Sequence, residues 1–147
     1  MHDLGLGADP CGSDVECGLP MIDRLDHLVL TTTDERACIE FYVGLLGMRL
    51  ETFGAGRKAL RFGEQKINIH VKGREFEPKA HLPVPGALDL CFIADRPLDD
   101  VIAMLSAKDA AIVAGPVRRT GATGPLRSIY LRDPDLNLIE ISELVTE

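Results

Sequence analysis

Leu25-Asp26-His27-Leu28-Val29-Leu30 and Ala87-Leu88-Asp89-Leu90-Cys91-Phe92-Ile93 decide how this chain folds. Each is an apolar run of strand length broken by ionisable residues, and each leads into a helix-forming stretch. After the first, Thr32 and Thr33 are candidate N-caps and Asp34 and Glu35 suit a first turn. Cys38, Phe41, Tyr42, Leu45 and Leu46 then recur at helical spacing before Gly47. After the second, Asp95 is the candidate cap, Pro97 suits a first turn, and Leu98, Val101, Ile102 and Leu105 form the apolar stripe. Three strand candidates follow each helix: Met48–Phe53, Lys58–Phe62 and Lys66–Val71, then Ala111–Val113, Ser128–Leu131 and Leu138–Ser142. His27 and Asp89 lie 62 positions apart, and so do Thr33 and Asp95, as in a tandem repeat.

The pattern predicts an α+β fold of two βαβββ units, about 22–73 and 86–143, with a Pro-rich and charged linker at 74–85. One unit cannot bury both its helix stripe and its sheet face. Two can, if their sheets form a curved half-barrel with the helices outside, so residues 21–147 are expected to be one domain. Residues 1–20 carry Asp3, Asp9, Asp14 and Glu16, no Lys or Arg, and no period, and are expected to form a flexible arm. The spacing of Cys11 and Cys17 does not match common zinc sites, which argues against a metal clasp with His2.

Composition narrows the function. The 147 residues are 46% apolar and 27% charged, with a net charge of −7. An acidic chain offers no electrostatic footprint for nucleic acid, and no run reaches the ~20 apolar residues of a membrane span. The four cysteines make no disulfide framework and no basic-then-apolar leader precedes them, so the cytoplasm is the expected compartment.

Strand alternation sorts the polar residues. His27 shares a face with Leu25 and Val29, Asn68 with His70, Asp89 with Cys91, and Glu140 with Leu138 and Ser142. A buried carboxylate without a partner is costly. Two carboxylates and one or two imidazoles are best satisfied around a divalent cation, and Zn, Ni, Co, Mn or Fe suit such N/O ligation. The same spacing also fits hydrogen-bonded histidines and a surface pair of Asp26 with His27. The basic stretch 118–127 reads either as a lid, with Arg119 and Arg127 gripping a substrate carboxylate or phosphate, or as a solvated hairpin loop.

Four motifs together resemble the vicinal oxygen chelate superfamily, the glyoxalase/bleomycin-resistance/extradiol-dioxygenase group. They are Leu25–Leu30, Phe41-Tyr42-x-x-x-Leu46-Gly47-Met48, Phe62-Gly63-x-Gln65-Lys66-Ile67-Asn68-Ile69-His70, and Asp133-Pro134-Asp135-x-Asn137-Leu138-Ile139-Glu140. The resemblance covers about 22–143, and Glu75–Lys79 with Arg119–Pro125 are similar to uncharacterised glyoxalase-domain proteins. It implies metal ligands at His27 and Glu140, at Asp89 where related enzymes use His, and at His70 or Asn68. It also implies lyase or isomerase chemistry through a metal-bound oxygen or enolate. Glu140 would then be the base, Asp89 a ligand or second acid/base, and Asn68 a substrate contact. The alternatives it leaves are a metal-free binding or antibiotic-sequestering protein and a ring-cleaving dioxygenase, the latter weakened by Asp89. A small-molecule substrate and a homodimer, in some relatives with exchanged units, complete the expectation.

Overall fold

The computed structural model describes residues 18–146. Most of the predicted arm, with His2, Cys11 and Cys17, therefore lies outside the described residues. The chain runs β1 (His27–Thr32), α1 (Glu35–Ile39) continued by a π-helical segment (Glu40–Leu45), β2 (Arg49–Phe53), β3 (Arg57–Phe62) and β4 (Gln65–Val71). It then runs β5 (Asp89–Ile93), α2 (Leu98–Ala107), β6 (Ala114–Thr120), β7 (Pro125–Arg132) and β8 (Leu138–Leu144). These are the two βαβββ units. Each forms a four-stranded mixed sheet, ordered β1-β4-β3-β2 and β5-β8-β7-β6. β1 runs parallel to β4 and β5 parallel to β8, and the other pairs are antiparallel.

The period-2 pattern gives each sheet one apolar face. Leu30, Leu60, Ile67 and Ile69 from the first sheet and Ile129, Leu131, Ile139 and Ile141 from the second join Cys38, Tyr42, Leu98 and Leu105 in one core. Phe62 and Phe92 meet edge to face across the units, with ring centroids 5.2 Å apart. The opposite face of each sheet carries the polar residues. Among the described residues no helix is long and apolar enough to cross a membrane.

Both helix starts differ from the sequence expectation. Asp34, not Thr32 or Thr33, caps α1 and accepts the Ala37 N–H at 3.1 Å. Asp95 pairs with Arg96 instead of capping α2. The cap position falls on Pro97, and the Leu98 N–H donates to Glu143 Oε2 at 2.7 Å. A carboxylate from β8 thus satisfies the orphan donor and the positive helix end, which a local sequence window cannot reveal.

The predicted strand Ala111–Val113 is replaced by β6 at Ala114–Thr120, so Arg118 and Arg119 lie on an edge strand rather than in a loop. Gly and Pro at 115 and 116 read as loop residues. An edge strand tolerates a missing ladder N–H, and pairing with β7 shifts register between Ala114 and Val117. Gly115 has φ +94, and a Cβ there would stand 2.4 Å from the Ser128 carbonyl oxygen. Glycine is therefore required at that point.

The loop between β7 and β8 fastens the units together. Asp133 accepts the Tyr42 hydroxyl at 2.6 Å, the Asn137 side-chain N–H at 2.7 Å, and the backbone N–H groups of Asp135 and Asn137. Asn137 Oδ1 accepts the Leu88 N–H at 2.9 Å. Asp135 accepts the Thr33 N–H at 3.0 Å, the Thr33 hydroxyl at 2.6 Å and the Thr32 hydroxyl. Burial pushes the Asp135 carboxyl pKa up, but the Thr32 and Thr33 donors outweigh it and hold the group below its usual range. A folded-state pKa below the unfolded ~3.9 means stability that is present above that pH and lost as pH falls through the folded value. Asp135→Asn should therefore be less stable at pH 7 and lose less on acidification. Denaturant unfolding across acid pH measures this, and an unchanged acid slope would contradict it.

Candidate functional site

The register places His27, Val29 and Thr31 of β1 beside Lys66, Asn68 and His70 of β4, and Ala59 of β3 beside Asn68. This is the polar face of the first sheet. His27 Nδ1 lies 2.8 Å from an Asp26 carboxylate oxygen, and its side chain is 43% exposed. That contact holds the Asp26 carboxyl below the usual range. It also leaves Nε2 of His27 uncommitted, the arrangement in which a carboxylate orients an imidazole for ligation. Asn68 and His70 are 6% and 4% exposed, yet Asn68 Oδ1 and His70 Nε2 have no hydrogen-bond partner. Buried polar atoms are nearly always paired, so two orphans side by side on one strand call for an explanation. Burial first, and then the Arg57 charge, lowers the His70 pKa, so the imidazole is neutral at pH 7.

The second half lies on the other sheet. Asp89, Cys91 and Ile93 of β5 lie beside Leu138, Glu140 and Ser142 of β8, and Glu140 and Ser142 lie opposite Tyr130 and Ser128 of β7. Ser142 Oγ is 2.6 Å from Ser128 Oγ, 3.3 Å from Cys91 Sγ and 3.2 Å from Glu140 Oε2, to which it donates. Both serines are fully buried. Glu140 is half-buried, and Asp89 and Cys91 are exposed. Burial, aided by the Glu140 charge, raises the Cys91 thiol pKa, and burial pushes Cys38 up to about 12. Neither cysteine is a ready thiolate nucleophile.

The arginines part company. Arg119 Nε donates to the Tyr130 hydroxyl at 2.8 Å, on the Glu140 side of the sheet. Arg127 lies on the opposite face and pairs with Asp99 at 2.9 Å and Glu143 at 3.2 Å at the start of α2. Its substrate role is therefore corrected to a structural one: alternation along β7 sends it to the helix side.

The structure brings Asn68 near His70, and Glu140 near Cys91 and Ser142. It does not join the two halves within one chain: among the described residues no group of three or more His, Cys, Asp and Glu is placed to hold a metal. A groove of 620 Å³ lies between the α1 end and α2, lined in part by Leu46, Met48, Phe92 and Met104, and contains none of the candidate residues. Ser128 and Tyr130 were missed by sequence reasoning, although they alternate visibly in Arg127-Ser128-Ile129-Tyr130. Arg57 and Phe76 were missed because their place depends on the linker folding back over β3 and β4.

Residues 24–141 match the profile of the Glyoxalase/Bleomycin resistance protein/Dioxygenase superfamily, and the chain belongs to it. Virulence protein STM3117 of Salmonella typhimurium is 56% identical over 125 residues, covering 85% of this chain and 87% of that one. Its crystal structure superposes with a TM-score of 0.84 over 86% of this chain and all of that one. Glyoxalase domain-containing protein RDO1 of Mycosarcoma maydis is 56% identical over 121 residues, 82% of this chain and 68% of its own. The integron cassette protein VCH_CASS1 from the mobile metagenome of V. cholerae is 51% identical, with a TM-score of 0.84 over 87% of this chain and all of its own.

Proposed function

We propose that this chain is a divalent-metal-dependent, glyoxalase-like enzyme of lyase or isomerase type, acting on a small molecule. The observation that carries the reading is the pair of half-sites. One sheet offers a carboxylate-backed imidazole at His27 and an unpartnered His70 Nε2. The other offers Glu140, with Asp89 on the neighbouring strand. These donors fit Zn, Ni, Co, Mn or Fe in chemistry. His27, His70, Asp89 and Glu140 would hold the ion, which when bound supplies Lewis acidity toward a substrate oxygen.

The chain's own groups do the rest. Ser142 donates to Glu140 and holds its carboxylate in place, where it would take a proton from a substrate carbon and return it. Asp89 serves as ligand or as second acid/base. Asn68 contacts substrate from the first sheet. Arg119 and Tyr130 flank Glu140 and steady a polar substrate group.

The halves would meet in a homodimer, one chain's first sheet facing its partner's second sheet. β1 and β5 are edge strands. Val29, Ile93 and Leu144 are 40%, 54% and 50% exposed on the same faces as the candidate residues, an apolar surface suited to a second copy.

Metal titration of chelator-stripped protein tests this reading. Ligand binding to the native state raises the melting temperature by mass action, so at least one of the five ions should do so at stoichiometric addition. His27→Ala should abolish the shift. No shift with any ion would overturn the metal-dependent reading and turn attention to metal-free ligand binding.

A further inference from the structure

Two cations on the polar face of the first sheet form no close ion pair among the described residues, although the charges of Asp26 and Glu51 reach Lys66. Arg57 stacks on two rings, its Cζ 5.1 Å from the Phe53 centroid and 4.7 Å from that of Phe76. Lys66 Nζ lies 3.9 Å over the same Phe53 ring. Lys66 is on β4 and Phe53 on β2, so the lysine reaches across β3 above the small, fully buried Ala59. Each of the two cations leans on a ring face rather than on a carboxylate. The acids nearby are already engaged: Asp26 with His27, Glu51 with Arg61, Glu77 with Lys79, and Glu75 with the Gly73 N–H. Ring faces steady a cation, while a guanidinium stacked on them still presents its N–H edge.

Asn68 lies between these cations in register, with Lys66 before it on β4 and Ala59 beside it. Its Oδ1 is buried and unpartnered. An acceptor of that kind is satisfied by an O–H or N–H that the protein does not supply. His70 packs its ring 5.7 Å from Phe76, the residue that holds Arg57 in place.

We propose that this face binds a small hydroxy acid, its carboxylate between Arg57 and Lys66 and its hydroxyl donating to Asn68 Oδ1. The proposal rests on the reading of this face as half of the substrate site, and names the substrate class.

The test uses chelator-stripped full-length protein, so that it succeeds or fails independently of metal binding. Lactate is titrated while the backbone amides of β4 are followed by NMR. Lactamide, lacking the charge, and propionate, lacking the hydroxyl, serve as controls. Lactate should bind saturably below about 10 mM, and each control should bind about tenfold more weakly. Arg57→Gln should weaken lactate about tenfold and remove its advantage over lactamide. Asn68→Leu should remove its advantage over propionate, and Lys72→Gln, an equal charge change on the exposed turn after β4, should alter neither. Absence of saturable lactate binding, or equal affinity for lactate and lactamide, would overturn the proposal.

Discussion

Asp133→Ala should lower stability by about 3–5 kcal/mol, the scale of a broken buried polar network. The carboxylate is 3% exposed and accepts four hydrogen bonds. Removing it strands the Tyr42 hydroxyl and the Asn137 amide, both in fully buried residues. Burial and the Asp133 contact raise the Tyr42 pKa far above its usual value, so the phenol cannot relieve the loss by ionising. The bond also joins the helix of the first unit to the loop of the second, so the shared core loosens with it. A fall in melting temperature of roughly 10–20 °C follows for a chain of this size. Tyr42→Phe removes one donor only, and Asp133 Oδ2 still accepts from the Asn137 amide, so it should cost less, about 1.5–3 kcal/mol. Thermal unfolding of the two variants side by side checks both the size and the order. Equal and small losses would show that the loop does not fasten the units.

Glu140→Gln should weaken metal binding by at least about 100-fold, the upper range seen when even indirect partners of a ligand are removed. The amide keeps the shape and still accepts from Ser142, so the melting temperature of the metal-free protein should barely move. That split separates a ligand and base from a structural carboxylate. Titration calorimetry with the ion that gives the largest melting shift reads the affinity, and unfolding of the stripped protein reads the fold. Wild-type affinity in this variant would remove Glu140 from the metal and leave it at most a proton carrier.

The fold was legible because both periods are strong. The alternation in Lys66–Val71 and Leu138–Ser142 and the stripe at Cys38 and Tyr42 each describe an element that buries one face, and the 62-residue offset repeats it. Where the sequence misled, the cause was a partner far along the chain. Glu143 caps α2 from β8, and β7 recruits a Gly-Pro segment as an edge strand. Asp133, Asp135 and Asn137 were visible as a motif, but their work of tying the units together appears only once Tyr42, Thr32 and Thr33 are brought alongside. In the candidate site, alternation correctly set Asn68 beside His70 and Glu140 beside Ser142. It could not say which sheet faces meet, because that is a matter of packing between sheets rather than of strand period. Arg127 belongs to the basic stretch 118–127 in sequence, but its position along β7 alternates away from Ser128 and Tyr130 and puts it on the helix side.

The most direct test is the metal content of protein purified without chelator or polyhistidine tag, measured by mass spectrometry on wild type, His27→Ala, Glu140→Ala, and an unfolded-and-refolded mixture of the two variants. The account predicts near-stoichiometric metal in wild type and none in either variant. It also predicts partial recovery in the mixture, because a mixed dimer rebuilds one site from His27 of one chain and Glu140 of the other. Full metal retention in both single variants would contradict the assignment of these residues, and a mixture that stays empty would contradict a site shared between two chains.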